Sequence, residues 1–126
     1  MASWADLAKD NRTAAYEVFG HGRWRTCLSR AYYAAYSEAA KHLIRQGVAM
    51  PKGREGPSHA KLPELIVDNL SRIGYEIRWK LRGTITQLRD LRIMADYMPS
   101  SSVGEDDARS ALSLMKQAFD CLGGQS

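Results

Sequence analysis

Apolar residues recur along this chain at intervals of three and four, interrupted by short stretches of Gly, Pro and Ser, and nowhere alternate two by two beyond a few positions. Such a pattern predicts helices alone. The first opens on Ser3, a good N-cap with Asp6 in the first turn, continues through Trp4, Leu7, Ala14 or Ala15 and Val18, and stops at Gly20-His21-Gly22. The second covers Arg23 to about Gln46, with Trp24, Leu28, Ala31, Ala35, Ala39 and Leu43 on one stripe and Gly47 as the stop. Its small residues Ala31, Ala34, Ala35 and Ala39 let a neighbouring helix approach closely, while Tyr32, Tyr33 and Tyr36 fill the flanking gaps.

The segment PKGREGP, residues 51–57, is a loop by its prolines and glycines, and its composition suggests mobility. After it, Ser58 suits a capping role and Pro63 the first position of a short helix through Leu65, Ile66 and Leu70. A break at Ile73-Gly74-Tyr75 precedes a fourth helix traced by Ile77, Leu81, Leu88, Leu91 and Ala95, ending near Tyr97 and Pro99 and carrying Gly83 in its interior. Ser102-Val103-Gly104-Glu105 fits a capping box for a fifth helix with the stripe Ala108, Leu112, Met115, Phe119 and Leu122, closed by Gly123-Gly124. The expectation is an all-α, up-and-down antiparallel bundle of four to five helices.

A chain of 126 residues is short for more than one core, so residues 1–126 are expected to form a single domain. Neither an apolar run of membrane-spanning length nor a secretory-type start is visible, which makes the cytoplasm the default location and a membrane partner unexpected. Cys27 and Cys121 lie in helical patterns and read as buried, reduced thiols. Lysine and arginine outnumber aspartate and glutamate, 18 to 14, for a net charge of +4 and a bias toward phosphate-bearing partners.

Charge changes the picture where it gathers. At about 100° per residue, Arg78, Arg82, Arg89, Arg92 and Asp96 fall within an arc of about 80° beside the apolar stripe of the fourth helix. Four guanidinium forks on one ridge suit a phosphate or carboxylate ligand, and an anion there would relieve their repulsion. The plainer alternative is solvation, or pairing with Glu38, Asp68, Glu76 or Asp90, and it weighs most for Arg78 and Arg82. Asp96 stands at the negative end of the helix dipole, so something must compensate it: an ion pair with Arg92 or Arg30, or a ligand-positioning role. His59, next to the loop, is a candidate acid, base or phosphate ligand. His21 and His42 have no partners at metal spacing, so neither a metal nor a cofactor is expected.

Three segments carry a family resemblance: SRAYYAAYSEAAKHLIRQG (residues 29–47), SHAKL (58–62) and LRDLRIMADY (88–97). In type, order and spacing they resemble bacterial members of the HEPN family (higher eukaryotes and prokaryotes nucleotide-binding). The resemblance implies a bundle of up to five helices that often dimerises and is tied to RNA or nucleotides. Many members are toxin ribonucleases paired with a minimal nucleotidyltransferase antitoxin, with an Arg followed a turn later by a His on the penultimate helix. Here Arg89 and Arg92 are present, but Asp96-Tyr97 stands where that histidine belongs. The resemblance therefore implies a nucleotide- or RNA-associated module binding through Arg78, Arg82, Arg89, Arg92 and Tyr97, with a nucleotidyltransferase-like partner that in related toxins transfers a nucleotide to a tyrosine near this motif, and without the standard ribonuclease pair. Two alternatives stand beside it: an active ribonuclease using Arg92, Asp96 or His59, and a helical scaffold with no nucleic-acid role.

Overall fold

The computed structural model describes residues 1–123 and contains five helices: α1 Trp4–Gly20, α2 Trp24–Arg45, α3 Leu62–Asn69, α4 Tyr75–Tyr97 and α5 Glu105–Gly123. No strand occurs among the described residues, and Gly124 lies outside them. The chain is an all-α bundle.

The ends of the helices follow from side chains at their termini. Ser3 and Asp6 close a reciprocal capping box: Asp6 N–H donates to Ser3 Oγ at 3.1 Å and Ser3 N–H to Asp6 Oδ2 at 2.9 Å. These bonds hold the Asp6 carboxyl below its ordinary value. At α5 the expected box is displaced. The helix begins at Glu105, so Gly104 rather than Ser102 stands before it, and the Gly104 N–H donates to Asp107 Oδ2 at 2.9 Å. α3 starts one residue before Pro63, at Leu62. In α1 the inward face carries Ala8 and Ala15, whereas Leu7 points outward.

Helix α2 is the central rod and packs on all four others. Its alanines Ala31, Ala34, Ala35, Ala39 and Ala40 are fully buried, which is the close approach that small side chains permit. Leucines and isoleucines of the other helices fill the space between them, among them Leu62, Ile66, Leu81, Ile85 and Leu88. Each such side chain contributes about 1.5–3 kcal/mol by leaving water. Cys27 and Cys121 are free and buried, and burial pushes the Cys27 thiol up to about 11, so it stays an inert thiol at neutral pH. Among the described residues, no helix is long and apolar enough to cross a membrane.

The loop between α2 and α3 is held along its second half. Tyr36 Oη donates to Pro57 O at 2.6 Å in a buried position, and Trp4 Nε1 of α1 donates to Glu55 O at 3.2 Å. Trp4 and Tyr36 also meet edge to face, with ring centroids 5.8 Å apart. Gly56 threads between them. A Cβ there would sit 2.6 Å from Tyr36 Oη and 2.8 Å from the Trp4 ring, so the residue must be glycine for the loop to lie this close.

Candidate functional site

One turn after another, α2 presents Tyr32, Tyr33 and Tyr36 toward α4 and the pinned loop, and His59 drops into that aromatic group. Its ring stacks on Tyr36 at 4.3 Å and 19°, and its Nδ1 lies 2.7 Å from Tyr32 Oη. Tyr32 is fully buried, and burial raises its phenol well above the ordinary value, so the hydroxyl keeps its proton. His59 Nδ1 is its one hydrogen-bond partner among the described residues, which makes the phenol the donor and leaves the ring proton on Nε2. Nε2 has no partner among the described residues. Burial first, and then the charges of Arg92, Arg89 and Arg54, hold the imidazole below its ordinary value, so it is neutral at pH 7.

Beside His59 opens a pocket of about 640 Å³, lined among others by Tyr36, Lys52, Arg54, Pro57, His59 and Arg89. Three cationic side chains border it, with Glu55 the one acid. Arg89 is the member of greatest consequence. Its side chain makes no hydrogen bond or ion pair among the described residues, and its Nε is buried with no acceptor. A buried N–H left in that state costs about 1–3 kcal/mol relative to a satisfied one.

Arg92, three residues on, is engaged. Its Nη2 donates to Tyr33 Oη at 2.7 Å and to Tyr97 Oη at 3.3 Å, and its guanidinium lies 5.2–5.8 Å from the ring centres of Tyr32, Tyr33 and Tyr97. Asp96 Oδ2 stands 3.2 Å from Arg92 Nε, close enough for an ion pair although the N–H is not aimed for a hydrogen bond. The same oxygen accepts from Ser29 Oγ at 3.2 Å. Asp96 is thus tied to Arg92 and to α2, whereas Arg30 donates instead to Asn11 Oδ1 at 2.9 Å.

The expected site residues therefore divide. Arg89 and His59 share the pocket; Arg92 stands against the same tyrosines, with Asp96 and Tyr97 on its far side. Arg78 and Arg82 lie elsewhere: Arg78 Nη1 donates to Val67 O of α3 at 2.6 Å, and Arg82 covers the Trp79 ring at 5.0 Å. Sequence reasoning treated Tyr32, Tyr33 and Tyr36 as packing residues and passed over Arg54. The signal was present in the tyrosine spacing, since positions 32, 33 and 36 share one side of a helix. Nothing in the sequence told which loop residue would reach them.

A second polar group sits lower on α2. Glu38 meets Lys41 at 2.9 Å and His42 at 3.4 Å, and Arg72 bonds His42 Nδ1. Burial pushes the Glu38 carboxyl up, but His42 and Lys41 outweigh it and leave it below its ordinary value. These residues pair with one another and line none of the pocket beside His59.

The model of a family described as HEPN domain matches residues 1–125. No curated protein matches the chain, and no solved structure does.

Proposed function

The chain belongs to the HEPN domain family, and on that footing we propose that it binds a nucleotide, or one nucleotide unit of RNA, with the phosphate between Arg89 and His59, and does not cleave RNA by the family's usual arginine-histidine pair. The observation that carries this is the unpaired Arg89 guanidinium, its Nε buried without an acceptor, on the wall of an open cationic pocket. The Nη groups of that guanidinium, which no described residue engages, can donate to a phosphate oxygen in the pocket. His59 Nε2–H adds a second donor, and the Tyr36–His59 stack offers an aromatic edge for a base. Arg92, caged by tyrosines, gives charge and shape rather than a hydrogen bond.

The test is calorimetric titration of AMP into wild type and Arg89→Ala. Each charge-assisted bond lost weakens binding by about tenfold or more. Binding also falls steeply with added salt, as phosphate contacts do. An affinity indifferent to both the substitution and salt favours the helical scaffold.

One observation favours a second reading, a ribonuclease in which His59 replaces the absent histidine: it stands in the same pocket as Arg89, with Nε2 open to a ligand. Cleavage of RNA by purified protein, lost in His59→Ala and in Arg92→Ala, decides for it. In either reading the module pairs with a second copy and serves in the cytoplasm as the toxin-like half of a pair with a nucleotidyltransferase-like partner. What supports that extension is the family resemblance, together with Tyr97, a residue 65% exposed at the end of α4. Sedimentation of the purified chain reads the dimer directly.

A further inference from the structure

The first half of α4 carries an aromatic and cationic face that the pocket does not use. Tyr75 and Trp79, one turn apart, are 63% and 43% exposed, unusual for rings of this size, and meet edge to face at 6.1 Å. Arg78 lies 5.6 Å from the Tyr75 ring centre and Arg82 5.0 Å from that of Trp79. The Arg82 guanidinium has no hydrogen bond or ion pair among the described residues. At about 100° per residue, Tyr75, Trp79, Arg82, Thr86 and Arg89 share one arc of about 80°, a line of about 21 Å that ends at the pocket.

The line has two edges. Arg78, Arg82 and Arg89 lie on one, while Glu76 and Asp90 border the other. A ligand laid along it meets rings in the middle, cations on one flank and acids on the opposite flank. A polynucleotide strand with its bases unpaired fits that division: every base offers a flat face to an exposed ring, and its phosphates follow the arginine edge away from the carboxylates. A duplex does not fit, because its base faces are already stacked on one another.

We propose that Tyr75, Trp79 and Arg82 form a stacking strip for single-stranded RNA that leads along α4 to Arg89. It rests on the reading of the Arg89 pocket for its end point, and on the exposed rings for its own existence.

The test uses an eight-nucleotide uridine oligomer and AMP as separate probes of the full chain, with anisotropy for the first and calorimetry for the second. Trp79→Ala and Tyr75→Ala each weaken the octamer by roughly tenfold and leave AMP unchanged, in line with the usual worth of one stacked base. Trp79→Phe keeps most of the octamer affinity and loses the fluorescence quench that the wild type shows on binding. A blunt-ended duplex of similar charge, with no unpaired base, is insensitive to all three. These side chains are at the surface, so circular dichroism of the variants matches wild type. Octamer affinity unchanged in Trp79→Ala overturns the strip, and so does a dimer that dissociates in Trp79→Ala with no change in RNA binding, which assigns the face to a second copy of the chain. If AMP does not bind but the octamer still depends on Trp79, the pocket reading fails and the strip stands.

Discussion

The phenol of Tyr32 and the imidazole of His59 meet at 2.7 Å, a buried donor fixing the orientation and tautomer of a half-buried ring from a neighbouring loop. A histidine on a pocket wall turns freely unless something behind it holds it. Here Tyr32 holds Nδ1 and Tyr36 stacks on the face, so Nε2–H keeps one direction.

That arrangement gives anion binding a pH dependence of known sign. The free imidazole lies below 6.5, through burial and the charges of Arg92, Arg89 and Arg54. A bound phosphate diester favours the imidazolium, so affinity rises as pH falls through the acid side of neutrality, by up to about tenfold per unit. A diester dinucleotide is the right probe, because a monoester titrates at about pH 6 itself. In His59→Gln the slope disappears; an equal slope in that variant assigns the proton elsewhere. Folding stability runs the opposite way. The unfolded chain takes up the His59 proton first, so stability without ligand declines as pH drops below 6.5, and His59→Gln flattens the decline.

Two glycines make a matched pair of experiments. At Gly56 a methyl group meets Tyr36 Oη at 2.6 Å and the Trp4 ring at 2.8 Å, and the tyrosine cannot retreat without losing its buried bond to Pro57 O. Gly56→Ala therefore moves the loop and displaces His59, costing about 1–3 kcal/mol of stability and most of the AMP affinity. At Gly83 in α4 nothing lies within 4 Å of an added Cβ, so Gly83→Ala stabilises by about 0.5–1 kcal/mol. Thermal melts and hydrogen exchange over residues 51–60 separate the two. A neutral Gly56→Ala means that the loop is not held as described.

Arg25 ties the end of α4 to α2. Its guanidinium donates to the carbonyls of Met94, Ala95, Met98, Pro99 and Ser101, with the Ala95 bond at 2.9 Å. The last carbonyls of a helix otherwise lack partners, and a cation there also answers the negative end of the dipole. Arg25→Ala should cost about 3 kcal/mol, with Arg25→Lys recovering only part because one ammonium cannot reach so many acceptors. Urea unfolding at constant slope reads both. A loss under about 0.5 kcal/mol, the level of an ordinary surface change, contradicts the clamp.

The five helices are legible in the sequence because the three-to-four period and the Gly and Pro stops act locally, and residues 29–47, 58–62 and 88–97 carry the family resemblance by their order and spacing. The pocket was not equally legible. Arg89 and Arg92 look alike in sequence, one turn apart on the same helix, yet one is caged by tyrosines of α2 and the other is unpaired; only the packing of α2 against α4 distinguishes them. Arg25 was invisible for the same reason, since its acceptors lie about 70 positions away. The N-cap of α5 went two residues astray because Ser102 satisfies the spacing rule while the chain turns at Gly104. Asp96 was identified as needing compensation, and the clamp by Arg25, the Arg92 pair and Ser29 together provide it.

Asp96 also allows the binding reading to be separated from a catalytic one. Its carboxylate lies 3.2 Å from Arg92 Nε, with the Arg92 and Asp96 side chains 15% and 30% exposed, so the pair is partly hydrated and worth no more than about 1 kcal/mol. Asp96→Asn keeps an oxygen to accept from Ser29, so the link between α2 and α4 survives and the melting temperature falls by no more than about 4 °C. What the substitution removes is a negative charge beside Arg92, whose own charge acts on the neighbouring His59 pocket. Phosphate diester binding should therefore tighten severalfold in Asp96→Asn, most strongly at low salt, where the field of Arg92 is least screened. A carboxylate that instead worked as a base on RNA would show the reverse pattern, with cleavage abolished and binding unaltered. Measuring dinucleotide affinity and RNA cleavage on the same preparation therefore distinguishes a charge that restrains Arg92 from one that performs chemistry.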